Sequence, residues 1–110
     1  MSAAKRPQVL IVEDDLALQK QIKWALDRFE TVTAHDRVGA LAQFRRAAAP
    51  VVTMDLGLPP DADAVSEGFA LLEALLGVDP AVKVIVLSGQ SDRTNACRAV
   101  ELGAYDFLAK

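Results

Sequence analysis

Two short, unbroken apolar runs restrict the fold most: VLIV at 9–12 and VIVL at 84–87. A strand with one wet face alternates polar and apolar residues. A run without alternation suits a strand buried on both faces, the usual condition in a parallel sheet layered between helices. The intervening sequence fits that reading. Leu18, Ile22, Ala25, Leu26 and Phe29 recur at helical steps, and Asp15 stands where an N-cap belongs. TVTA at 31–34 reads as a second strand. A helix over about 37–48, with Leu41, Phe44 and Ala48 inward, ends before Pro50. VVTMD at 51–55 is a third strand, and Phe69, Leu72, Leu75 and Leu76 mark a third helix. After the Asp79-Pro80 turn, VKVIVLS at 82–88 is a fourth strand. Ala96, Ala99, Val100 and Leu102 mark a fourth helix ending at Gly103, and AYDFLA at 104–109 is a fifth strand. Strands alternating with helices build βαβ units with right-handed crossovers, hence an α/β, doubly wound, five-stranded parallel sheet.

A length of 110 residues suits one domain. A net charge of −3 argues against nucleic-acid binding by the chain as a whole. Cys97 is the one cysteine, which excludes an internal disulfide and fits a reducing, cytoplasmic setting. The N-terminus has no apolar signal core, and no run is long enough to span a bilayer, so no membrane contact is expected.

The chemistry-bearing residues follow the strands. Glu13 and Asp14 follow the first, Asp55 ends the third, Ser88 ends the fourth and Lys110 follows the fifth. In a parallel sheet these tips share one edge, where open α/β folds place their ligands. Carboxylates about 4 Å apart repel by roughly 4 kcal/mol at an effective dielectric near 20, so such a cluster needs a cation. Hard oxygen ligands suit Mg²⁺. A lysine, a hydroxyl and a divalent ion together can bind the peripheral oxygens of a phosphoryl group, with Asp55 as nucleophile.

The runs VLIVEDD (9–15), VVTMDLGLPP (51–60), VIVLSG (84–89) and LGAYDFLAK (102–110) together resemble the response regulator receiver domain of two-component systems, over almost the whole chain. The resemblance implies a flavodoxin-like sheet of order 2-1-3-4-5 and a single receiver domain over 1–110. It implies Asp55 as phosphoacceptor and Mg²⁺ held by Glu13, Asp14, Asp55 and the Gly57 backbone carbonyl. Ser88 and Lys110 would bind the phosphoryl group, and Phe107 would be the aromatic that follows the Ser88 switch. Gly57 and Gln90 would flank the phosphoryl position and tune hydrolysis. The implied partner is a sensor histidine kinase, and the implied output is transcription. The face of helix four and strand five would serve as switch and homodimer surface. The module would catalyse its own phosphotransfer and slow dephosphorylation without being an enzyme in the usual sense. The loop wording is closest to receivers of PEP-CTERM systems, similar to NtrC-like transcriptional response regulators. There, DNA and an alternative sigma factor are reached only through output domains that this chain does not carry.

Three departures stand out. Glu occupies position 13 where Asp is usual. The loop from Asp55 to Gly68 is longer than usual by roughly five residues, with an acidic insertion read as solvated. The final helix of the family is missing after Lys110. Apolar surface near strands one and five is therefore expected to be exposed, with dimerisation or partial instability as the consequence.

Rival readings have discriminating features. A haloacid-dehalogenase-type phosphohydrolase carries a second acid two residues after its nucleophile, where this chain has Gly57, and its paired acids come late. A phosphorylation-independent interaction module would not need the full set of acids, hydroxyl and lysine. A dinucleotide-binding domain would show G-x-G-x-x-G after the first strand. Asp15 reads as a helix cap, His35 as a solvated loop residue and Cys97 as a packing or surface residue. Trp24 lies off the apolar stripe and is expected to be partly exposed, as a flank of the core or a kinase-docking contact.

Overall fold

The computed structural model describes residues 6–59, 65–88 and 93–109, with the backbone alone at 88, 93 and 109. The elements are β1 (Gln8–Val12), α1 (Leu16–Ala25), β2 (Glu30–Ala34), α2 (Arg37–Ala47), β3 (Val51–Asp55), α3 (Ser66–Val78), β4 (Lys83–Ser88), α4 (Arg93–Glu101) and β5 (Asp106–Ala109). All strand pairs are parallel, in the order β2-β1-β3-β4-β5. The chain steps one way from β1 to β2 and the other way afterwards. Right-handed crossovers then put α1 on one face and α2, α3 and α4 on the other.

Packing follows that division. Leu10, Val12, Val52, Met54, Val84 and Val86 join Phe44 of α2, Phe69, Leu72 and Leu75 of α3 and Ala99 of α4 in one core. Val9 and Ile11 are equally buried but lie outside that cluster, on the α1 face. No residue of α1 is fully buried. Leu108 on β5 is 47% exposed, and Leu16 on α1 is also exposed. The expected open apolar surface is therefore seen at Leu108 on β5 but not on β1, where Val9 and Ile11 are buried.

Local chemistry sets the helix ends. Asp15 caps α1, its Oδ1 accepting from the Ala17 and Leu18 N–H groups at 2.9 and 3.3 Å. Asp36 caps α2, accepting from Gly39 N–H at 2.7 Å. Two details differ from the sequence reading. Phe29 does not extend the α1 stripe, because the helix ends at Ala25 and Phe29 N–H closes a turn onto the Leu26 carbonyl at 2.9 Å. Ala48 does not face the core but leaves α2 in the left-handed region at φ 51° and is exposed; Ala49 is buried instead. At the end of α4, Gly103 adopts φ 110°, the role expected of it.

One core atom lacks compensation. Thr53 on β3 is buried, and its Oγ1 has no hydrogen-bond partner among the described residues. Thr53→Val keeps the shape and removes the stranded hydroxyl. It is expected to raise stability by about 1 kcal/mol, seen as a higher urea midpoint with an unchanged slope.

Candidate functional site

The chain reverses direction along the sheet at β1, so the β1–β3 crevice at the carboxyl edge is the topological switch point. Register fixes what lies there. Val12 pairs with Met54, so Glu13-Asp14 and Asp55 leave their strands side by side. Asp55 itself pairs with Leu87, one residue before Ser88, and Ser88 pairs with Ala109, one residue before Lys110. The sheet therefore brings all four strand tips to one edge. The Ser88 side chain, Gln90 and Lys110 lie outside the described residues.

Carboxylate oxygens of Glu13, Asp14 and Asp55 lie within 4.8 Å of one another. At that spacing each ionised pair repels by about 3 to 4 kcal/mol at an effective dielectric near 20. Glu13 is only 1% exposed, and its Oε2 accepts from Asp15 N–H at 3.2 Å. Asp55 is half-buried, and its Oδ1 accepts from Gly57 N–H at 3.1 Å. Three hard oxygen donors converging from two strands, one of them almost without solvent, fit a small divalent cation such as Mg²⁺.

The loop after Asp55 is anchored more firmly than its turn residues suggest. Leu56 and Leu58 are fully buried and bracket Gly57. Gly68, near the start of α3, lies against the Leu56 backbone so closely that a Cβ there would clash with the Leu56 Cα and carbonyl oxygen. Arg37 Nε donates to Glu67 Oε1 at 2.9 Å, tying α2 to the same end of α3. That pair is partly exposed and contributes about 1 kcal/mol or less. Neither the Gly68 contact nor this ion pair was foreseen, because both join segments distant in sequence. Of the acidic insertion PDADAVSE, residues 60–64 lie outside the described residues, whereas Ser66 and Glu67 open α3 and Glu67 takes the ion pair with Arg37 rather than standing free in solvent.

The remaining candidates fall in place around this edge or away from it. Asp15 is a cap, as expected. His35 and Cys97 are exposed. Phe107 is half-buried, packs on the core and lines a groove of about 490 Å³ with Ala96, Cys97 and Val100 of α4. Trp24 is 84% exposed and borders a groove with Lys20, Lys23 and Phe29. Among the described residues no helix is long and apolar enough to cross a membrane.

Residues 9–110 match the response regulator receiver domain family. Among curated proteins, the chain is 33% identical over 112 residues to the C4-dicarboxylate transport transcriptional regulatory protein DctD of Rhizobium meliloti, covering 100% of this chain and 23% of that protein. It is 32% identical to the transcriptional regulatory protein PrrA of Mycobacterium tuberculosis, covering 94% of this chain and 43% of the other. Among solved structures, the receiver domain of NtrX from Brucella abortus superposes with a TM-score of 0.83 at 31% identity, covering 93% and 84% of the two chains. The non-phosphorylated HemR receiver domain from Leptospira biflexa gives 0.84 at 30% identity, covering 96% and 82%. The chain thus spans less than half the length of these curated relatives.

Proposed function

This chain belongs to the response regulator receiver domain family of two-component signalling, and from that premise we propose that it is a Mg²⁺-dependent phosphoacceptor with Asp55 as the acceptor. The observation that carries the proposal is the convergence of Glu13, Asp14 and Asp55 oxygens at the β1–β3 switch point. A carboxylate oxygen of Asp55 attacks phosphorus, and the bond from phosphorus to the donor's imidazole nitrogen, or to the acyl oxygen of a small acyl phosphate, breaks. No proton has to leave Asp55, and the departing imidazole takes its proton from solvent. Glu13, Asp14, Asp55 and the Gly57 carbonyl would hold Mg²⁺, which would supply positive charge to offset that of the phosphoryl group. The Ser88 hydroxyl donates to one of those oxygens and the Lys110 ammonium pairs with another. Gly57 adds no side chain that would help or block an attacking water; Gln90 is the other flanking position.

The signal then leaves through the α4–β5 face. Ser88 moves inward, Phe107 follows, and the α4–β5 surface changes shape, a two-state element biased by a local charge event. The groove beside Phe107 and the exposed Val100 and Tyr105 support this face as an output and homodimer surface. A sensor histidine kinase is the phosphate donor, and the module turns over its phosphate only slowly rather than acting as a phosphatase. The names of the curated relatives support transcription as the output, exerted on DNA through domains outside this chain, in the cytoplasm.

Intact mass after incubation with acetyl phosphate tests the reading. One phosphoryl group should be gained with Mg²⁺ and none without it. A folded protein that gains nothing with Mg²⁺ refutes it. Mg²⁺ at about 100 times its Kd should also raise stability by about 2.7 kcal/mol, read from urea unfolding.

A further inference from the structure

The geometry points to Gln19 as the positioning residue of the metal-binding acid pair. The inference rests on the Mg²⁺ reading above. Glu13 and Asp14 lie just past the last paired residue of β1, where β2 still holds the Glu13 N–H through Ala34 O at 3.0 Å. A carboxylate presents a cation with fixed geometry only if its own backbone is fixed. Gln19, in α1, reaches back to supply that restraint. Its Nε2 donates to the Glu13 carbonyl at 3.1 Å and to the Ala34 carbonyl at 3.3 Å.

The arrangement uses the donor side of the amide. A primary amide nitrogen carries two hydrogens, and here each has a carbonyl acceptor. Both partners are acceptors only, so the amide cannot be turned the other way without losing both bonds. Ala34 O also accepts from Glu13 N–H at 3.0 Å. The ends of β1 and β2 and the start of α1 are therefore joined at one point. The restraint closes on itself, because Gln19 N–H donates to Asp15 O at 2.9 Å and Asp15 N–H donates to Glu13 Oε2 at 3.2 Å. Gln19 acts on the cation only through Glu13. Residues that orient metal ligands in this indirect way are typically worth roughly 10- to 100-fold in metal affinity.

Gln19→Met keeps the length and removes the donors. Calorimetric titration with MgCl₂ should show a Kd raised about tenfold over the parent. A Kd within about twofold of the parent, even with lowered urea stability, would reduce Gln19 to a structural residue and overturn the inference. The parent protein provides a test that needs no variant to fold. In ¹⁵N NMR, the Gln19 side-chain amide pair should shift on Mg²⁺ addition with the same midpoint as the Glu13 and Asp14 backbone amides. An unmoved Gln19 pair beside moving backbone amides overturns the inference alone. A parent that binds no Mg²⁺ overturns both it and the receiver reading of the site.

Discussion

Asp55→Asn is expected to fold as the parent does and to take up no phosphate from acetyl phosphate or a kinase. The amide fills the same volume, and its oxygen can still accept from Gly57 N–H, as Asp55 Oδ1 does at 3.1 Å. What is lost is the nucleophile, because a neutral amide does not attack phosphorus at a useful rate. The charge change has a second consequence with the opposite sign. Without metal, one of three mutually repelling carboxylates is gone, and each pair costs up to about 3 to 4 kcal/mol at this spacing. The variant should therefore be at least as stable as the parent in the absence of Mg²⁺, and should gain less from its addition. Urea midpoints with and without Mg²⁺ measure this. A variant destabilised without metal would show that Asp55 serves the fold more than the chemistry.

Gly68→Ala is expected to cost about 3 kcal/mol or more, a large share of a domain's usual 5 to 15 kcal/mol or so. Two effects compete. Alanine favours a helix interior over glycine by about 1 kcal/mol. Against that, the added Cβ would meet Leu56 main-chain atoms, with the carbonyl carbon at 2.8 Å and two others nearer. Backbone cannot rotate away as a long side chain can, so the clash wins. Relief would require Leu56 to move, and Leu56 follows Asp55 directly. Any folded fraction should therefore also bind Mg²⁺ more weakly. Gly77→Ala in the same helix is the control, because nothing lies within 4 Å of a Cβ there. It should raise stability by up to about 1 kcal/mol. Equal effects at the two positions would show that Gly68 is not a close-packing site.

The contrast between those glycines shows where sequence reasoning reaches. Strand positions were legible because VLIV, buried on both faces, leaves no room for polar residues, and VIVL carries none although Ile85 and Leu87 are only half-buried. The acidic edge was legible because parallel register carries strand tips to one side, so Glu13-Asp14 and Asp55 had to meet once the order was known. Helix ends were less legible. Ala48 takes a left-handed conformation that alanine does not advertise, and Phe29 keeps helical spacing beyond the point where α1 has turned away. Least legible were contacts made across the fold. Gln19 reads as an ordinary polar helix residue until the ends of β1 and β2 are seen beside it. Gly68 reads as an indifferent glycine until Leu56 lies against it. Spacing along the chain carries periodicity, whereas close approach between distant segments arises only from packing.

The most direct measurement traps the acyl phosphate where it forms. The protein is phosphorylated with Mg²⁺, reduced with borohydride and digested, and the peptide spanning Asp55 is sequenced by mass spectrometry. Reduction of an aspartyl phosphate leaves homoserine, so homoserine at position 55, and only in the phosphorylated sample, is the expected result. Homoserine at position 14, or phosphate retained on a serine hydroxyl with position 55 unchanged, would contradict a phosphoacceptor at the tip of β3.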